Sequence, residues 1–154
     1  MSAQSLILTG PDHTCHLAER LAPCLAPGDV LLLSGGIGAG KTHFARCLIR
    51  ALQTVPEDVP SPTFTLVQEY DTRAGSVWHA DLYRLGSADE IIELGLAEAF
   101  ETAICLVEWP DRLGNLAPPD ALHLHFTPLE EETRRLDLSW TGTRWDSLVP
   151  GLAA

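Results

Sequence analysis

Gly35-Gly36-Ile37-Gly38-Ala39-Gly40-Lys41-Thr42 decides how the rest of this 154-residue chain is read. The string satisfies G-x-x-x-x-G-K-[ST], a phosphate-loop (P-loop) pattern whose confirmation lies in its flanks. Asp29-Val30-Leu31-Leu32-Leu33-Ser34 precedes it as a buried strand. His43 to Leu52 follows with apolar residues at three- and four-residue spacing, the signature of a helix. Glycines let consecutive backbone N–H groups turn inward on an anion, and the helix N-terminus adds its partial positive charge. Lys41 is then placed to reach the β- and γ-phosphates of a nucleoside triphosphate, and the Thr42 hydroxyl to sit on Mg²⁺. A plain glycine-rich turn is the competing reading, and strand, loop and helix in this order argue against it.

The composition suits one ordinary globular domain over residues 1–154, with 45% hydrophobic and 20% charged residues. Its apolar runs are strand-sized, far below the ~20 residues a membrane helix needs. The N-terminus lacks a basic-then-apolar leader pattern, so the expectation is a cytoplasmic protein with no membrane contact. Cys15, Cys24, Cys47 and Cys105 are scattered without a C-x-x-C pair and read as buried free thiols in a reducing compartment. A net charge of −11 argues against backbone-driven binding of nucleic acid. Most of that acidity is read as serving solubility.

Along the chain, Ser5 to Thr9 reads as an edge strand, and a helix capped by Asp12 or Thr14 runs to about Leu25. Pro56 to Pro62 is a loop. Thr65 to Tyr70 and Val77 to Asp81 form a hairpin around Asp71–Ser76. Ser87 to Glu90 has capping-box spacing and opens a helix to about Leu94, with a further turn over Leu96–Phe100. Ala103 to Val107 is a continuous apolar run, as in a central parallel strand. Ala121–Phe126 and Arg134–Trp140 alternate as a late antiparallel pair, and Trp145–Val149 reads as a last short helix. The fold class is therefore α/β: a single P-loop NTPase-like domain with a central, mostly parallel sheet, a β-hairpin insertion and a late antiparallel pair, flanked by helices.

The remaining chemistry is read from strand ends. Glu108 directly follows the apolar run, at the sheet edge where ligands bind, and is a candidate to hold Mg²⁺ directly or through water. Asp81 ends another strand and is a candidate to orient a water or join the metal shell, with Arg84 near the phosphates. His79 shares a strand face with Asp81 and reads first as a hydrogen-bonded structural histidine. Trp109 points away from Glu108 if the strand continues. Ser61-Pro62-Thr63-Phe64-Thr65 occupies the slot where P-loop proteins place a γ-phosphate-sensing switch, and an ordinary rigid turn reads equally well.

Gly38-Ala39-Gly40-Lys41-Thr42, Ser61-Pro62-Thr63-Phe64-Thr65-Leu66-Val67, His79-x-Asp81-Leu82-Tyr83-Arg84-Leu85 and Leu106-Val107-Glu108-Trp109-Pro110, in this order, closely resemble the TsaE (YjeE) family over nearly the whole chain. The resemblance implies a small bacterial P-loop ATPase of tRNA threonylcarbamoyladenosine synthesis. Its partner would be the TsaD–TsaB complex, which transfers the threonylcarbamoyl group; tRNA would be met only through that complex. ATP hydrolysis would support repeated turnover of the complex. The implied nucleotide contacts are Gly36, Ile37, Gly38, Ala39, Gly40, Lys41, Thr42, His43, Thr63, Thr65, Trp109 and Arg135. Thr42, Glu108 and Asp81 are the implied Mg²⁺ shell, and Lys41, Asp81 and Glu108 the catalytic set. Arg134 and Arg135 both lie where relatives bring arginines toward nucleotide. The chain departs from the family at Gly36, where relatives often carry Asp, at His43, where a second hydroxyl often stands, and at Pro60, where a basic residue is frequent. Two other classes stay open at this point. A small-molecule kinase would call for an arginine-bearing lid, and Arg112, Arg134 and Arg135 are scattered instead. A nucleotide-gated binding module would need only occupancy, not turnover.

Overall fold

The computed structural model describes residues 2–54, 67–85 and 88–152. Seven strands, β1 (Ser2–Leu8), β2 (Val30–Gly35), β3 (Val67–Thr72), β4 (Gly75–Asp81), β5 (Ile104–Glu108), β6 (Leu122–Pro128) and β7 (Arg134–Trp140), form one sheet in the order β1-β7-β6-β2-β5-β4-β3. The four central strands β6, β2, β5 and β4 are parallel, while β1–β7, β6–β7 and β3–β4 are antiparallel. The helices are α1 (Pro11–Leu21), α2 (Lys41–Leu52), α3 (Ala88–Glu93), α4 (Leu96–Thr102) and α5 (Val149–Leu152).

Residue pattern accounts for this layering. Every residue of β5 is buried because helices cover both faces of the central strands, which an uninterrupted Ile-Cys-Leu-Val run requires. One face packs α1 and α2 against Leu31, Leu33, Ile104 and Leu106. The other packs Ile91, Leu96 and Phe100 against Leu32, Cys105 and Val107. In β6, by contrast, Leu122, Leu124 and Phe126 are buried while His123 and His125 are exposed, so alternation there marks a sheet half covered on one face only.

Several expected boundaries shift. Helix α1 starts after Gly10, with Pro11 in its first turn, so neither Asp12 nor Thr14 caps it. Proline suits that position because its missing N–H would be unsatisfied anyway. Trp145 lies in a turn, buried and donating Nε1–H to the Asp120 carbonyl at 2.9 Å, and the last helix begins only at Val149. The Pro56–Pro62 loop, the Ser61–Thr65 segment and Ser87 lie outside the described residues. No described helix is long and apolar enough to cross a membrane.

The four-free-thiol expectation is corrected. Cys15 of α1 and Cys47 of α2 are joined as a disulfide, their Cα atoms 5.2 Å apart, while Cys24 and Cys105 are free. The packing of α1 on α2 brings these positions together across 32 residues of sequence, a proximity that spacing alone did not show. Burial pushes the Cys105 thiol up to about 12, so it behaves as an inert core residue. Closing a loop of this length stabilises by roughly 3–4 kcal/mol in the chain-entropy picture. Reduction is therefore expected to lower the melting temperature by about 10 °C. Four titratable thiols before reduction, with an unchanged melting curve after it, would contradict the bond.

Candidate functional site

At the C-terminal edge of the parallel strands, the glycine loop, the first turn of α2 and the ends of β4 and β5 enclose a cavity of about 500 Å³. That volume suits a small-molecule site. Its wall comprises Ile37 to His43 on one side and Asp81, Tyr83, Arg84, Glu108 and Trp109 on the other.

The backbone sets the loop first. Gly35 has φ +135°, and a Cβ there would sit 2.5 Å from the Phe126 carbonyl oxygen on the neighbouring strand. Only glycine lets β2 close on β6 and still turn into the loop. Gly38, at φ +77°, faces open space, so its missing side chain leaves room beside the backbone. Arg134 braces the loop from β7, with Nε 3.2 Å from the Ala39 carbonyl and a terminal nitrogen 3.4 Å from that of Gly38.

Lys41 is only 5% exposed. Its ammonium donates to the Gly35 carbonyl at 2.6 Å and lies 3.6 Å from the Trp109 ring centroid, a cation–π contact. Burial pushes its pKa below the ordinary lysine range, while Glu108, Asp81 and Asp111 pull the other way. Trp109 reaches this position because the chain leaves the strand: φ 59° and ψ 54° place it in the left-handed region at the start of the 3₁₀ segment Pro110–Leu116. The condition under which Trp109 would point away from Glu108, a continuing strand, is not met, and both residues line the cavity. Tyr83, 43% exposed, packs on Trp109 with ring centroids 4.8 Å apart.

Glu108 is 2% exposed. Its carboxylate accepts from Thr42 Oγ1 at 2.8 and 3.1 Å and lies 2.7 Å from His79 Nε2. Asp81 stands directly opposite Glu108 in the β4–β5 register, and its Oδ1 accepts the Tyr83 N–H at 3.0 Å. Among the described residues, no group of three or more His, Cys, Asp or Glu side chains is placed to hold a metal alone. One hydroxyl and one or two carboxylates beside an anion-sized cradle fit Mg²⁺ better than a closed protein cage. Magnesium keeps waters and takes phosphate oxygens to complete its octahedron.

A model of the family described as threonylcarbamoyl adenosine biosynthesis protein TsaE matches residues 8–136. The chain belongs to the TsaE family. It is 38% identical over 149 residues to the tRNA threonylcarbamoyladenosine biosynthesis protein TsaE of Rickettsia felis, covering 97% of this chain and 86% of that one. The protein of the same name from Bacillus subtilis is 34% identical, over 93% of this chain and 89% of the relative. The crystal structure of Bacillus subtilis YdiB superposes with a TM-score of 0.79 at 28% identity, over 98% and 94% of the two chains. The TsaE fold and a place in tRNA threonylcarbamoyladenosine biosynthesis follow from these matches.

Of the residues expected at a TsaE site, Ile37, Gly38, Ala39, Gly40, Lys41, Thr42, His43, Asp81, Glu108 and Trp109 line the one cavity. Gly36 lies in the loop but does not line the cavity, and Thr63 and Thr65 lie outside the described residues. His43 lines the cavity and also sits 3.0 Å from the Pro11 carbonyl through Nε2. Arg135 is not brought to the cavity. It is 49% exposed and pairs with Asp137 at 3.1 Å, because successive strand residues face opposite ways and Arg134 takes the loop side. Period-two alternation was the available signal for choosing between the two arginines. Tyr83 was overlooked as a cavity residue, although it sits two positions from Asp81 and directly before Arg84.

The close approach at Gly35 yields a direct test. Gly35→Ala is expected to cost roughly 3 kcal/mol, combining a left-handed backbone with a collision against a rigid strand carbonyl. Urea unfolding measures it, and an unchanged midpoint would contradict the described turn.

Proposed function

We propose that this TsaE-family protein binds ATP with Mg²⁺ in the cavity and hydrolyses it to ADP and phosphate. The reading rests on one observation above all: Lys41, Thr42, Glu108 and Asp81 converge on a single cavity at the start of a helix and the ends of parallel strands. In this reading the loop N–H groups and Lys41 take the β- and γ-phosphates once Lys41 leaves the Gly35 carbonyl and the Trp109 ring. Thr42 and Glu108 would hold Mg²⁺, with Asp81 joining its shell. Bound there, Mg²⁺ would neutralise charge building on the phosphate oxygens. Asp81 accepts a hydrogen bond from the attacking water and aims its oxygen at the γ-phosphorus. As the water oxygen bonds to that phosphorus, the bond from phosphorus to the bridging oxygen breaks and its electron pair leaves with ADP. The water proton passes through Asp81 to the released phosphate. Arg84 stands on the cavity wall, where it would approach the phosphates.

In the same reading the protein acts with the TsaD–TsaB complex and supports its repeated turnover on tRNA, without transferring the threonylcarbamoyl group. The net charge of −11 fits a subunit that leaves tRNA binding to its partners. The site works in the cytoplasm, where ATP and tRNA are available.

ATP hydrolysis by the protein alone and with purified TsaD–TsaB tests this, with Lys41→Ala as the blank. Stimulation by the complex is expected, and Lys41→Ala should lower the rate on the order of 100-fold or more. Glu108→Ala should also lose hydrolysis while still retaining nucleotide in the absence of Mg²⁺. Hydrolysis indifferent to the complex, with no association on gel filtration, would remove the partner. Full hydrolysis in either variant would remove the site.

A further inference from the structure

Among the described residues, the buried side-chain polar atom left without a hydrogen-bond partner is Nδ1 of His79. The ring is fully buried and does not line the cavity. Its other nitrogen, Nε2, lies 2.7 Å from Glu108 Oε2. Facing a carboxylate at that distance, Nε2 carries the proton, since two lone pairs would repel. Nδ1 is then the lone-pair nitrogen, and an unmet acceptor costs less than an unmet buried N–H. A residue kept only to fill space would do better as an apolar side chain, with no orphan atom at all. The ring is spent on one directed contact.

That contact lands on the carboxylate that also accepts the Thr42 hydroxyl. Oε2 is held by His79 at 2.7 Å and Thr42 at 3.1 Å, while among the described residues Oε1 has only the Thr42 contact at 2.8 Å. We propose that His79 is a positioning residue for magnesium binding: it pins Oε2 of Glu108 so that Oε1 and the Thr42 oxygen face a cation or its bound water. Glutamate has three side-chain torsions and needs such a second anchor. Outer partners of this kind set metal affinity by about 10- to 100-fold. This inference rests on the magnesium-nucleotide reading of the same site.

The test is equilibrium binding of a fluorescent ATP analogue, titrated with Mg²⁺ and repeated in EDTA, for wild type, His79→Leu and His79→Gln. Glutamine can present an amide N–H at about the reach of Nε2, and leucine presents none. His79→Leu is expected to raise the Mg²⁺ half-saturation concentration by about 10- to 100-fold, with affinity in EDTA unchanged. His79→Gln should stay within a few-fold of wild type. In a Glu108→Gln background, His79→Leu should produce no further shift. Where His79→Leu does not fold by circular dichroism, His79→Asn replaces it, since its shorter amide falls short of Glu108. Equal Mg²⁺ dependence in wild type and the donor-less variant, or an equal loss with and without Glu108, would overturn the positioning role alone. A wild-type protein that binds no nucleotide, with or without Mg²⁺, would overturn the underlying reading and the proposal with it.

Discussion

Burying the carboxylate of Glu108 is the constraint around which the site is organised. A charge withdrawn from water must be met by donors, and here they come from two other elements: Thr42 on α2 and His79 on β4. Meeting that demand fixes more than one side chain. Glu108 pairs with Leu33 of β2 and Asp81 of β4 in the sheet register, so a one-residue slip of β5 would turn it onto the opposite face. The apolar run before it, buried on both faces, makes such a slip costly. Strand packing thus sets the placement of the acid, and the acid in turn orients the first turn of α2.

The second feature of the site is that its lysine is already engaged. Lys41 is held by a backbone carbonyl and an aromatic face, and Trp109 adopts a left-handed backbone to supply that face. A cation–π contact of this kind contributes about 0.5–2 kcal/mol, small beside what a multiply charged phosphate chain offers at the same distance. Burial disfavours the charged ammonium, so an anion that replaces lost hydration would restore it. Arg134, meanwhile, steadies the carbonyls of Gly38 and Ala39 from the far strand, so the loop is braced while its lysine is exchangeable.

Much of this was legible in the residues. The strand, glycine loop and helix around Lys41 follow from local pattern, and Glu108 was marked by its place after an unbroken apolar run. What escaped was tertiary. The orientation of Trp109 hangs on whether the strand continues past Glu108, and nothing local announces the left-handed turn that carries it over Lys41. Arg134 shares the face of Leu136, Leu138 and Trp140, an alternation visible in the residues, but that this face meets the loop depends on β7 lying beside β6. Cys15 and Cys47 meet because α1 packs on α2, a contact that 32 intervening residues conceal. His79 was read as a structural histidine with an unnamed partner. Its partner proved to be the acid at the centre of the site, visible only once β4 and β5 were paired.

The most direct test of the account is a crystal structure of the protein with Mg²⁺ and a non-hydrolysable ATP analogue. The expected result has the triphosphate on the loop from Ile37 to Thr42, with Lys41 moved off the Gly35 carbonyl onto phosphate oxygens. A cation should bind Thr42 Oγ1 at about 2.1 Å and meet Glu108 directly or through one water. Nucleotide bound elsewhere, or Lys41 still on Gly35 with the analogue present, would contradict it.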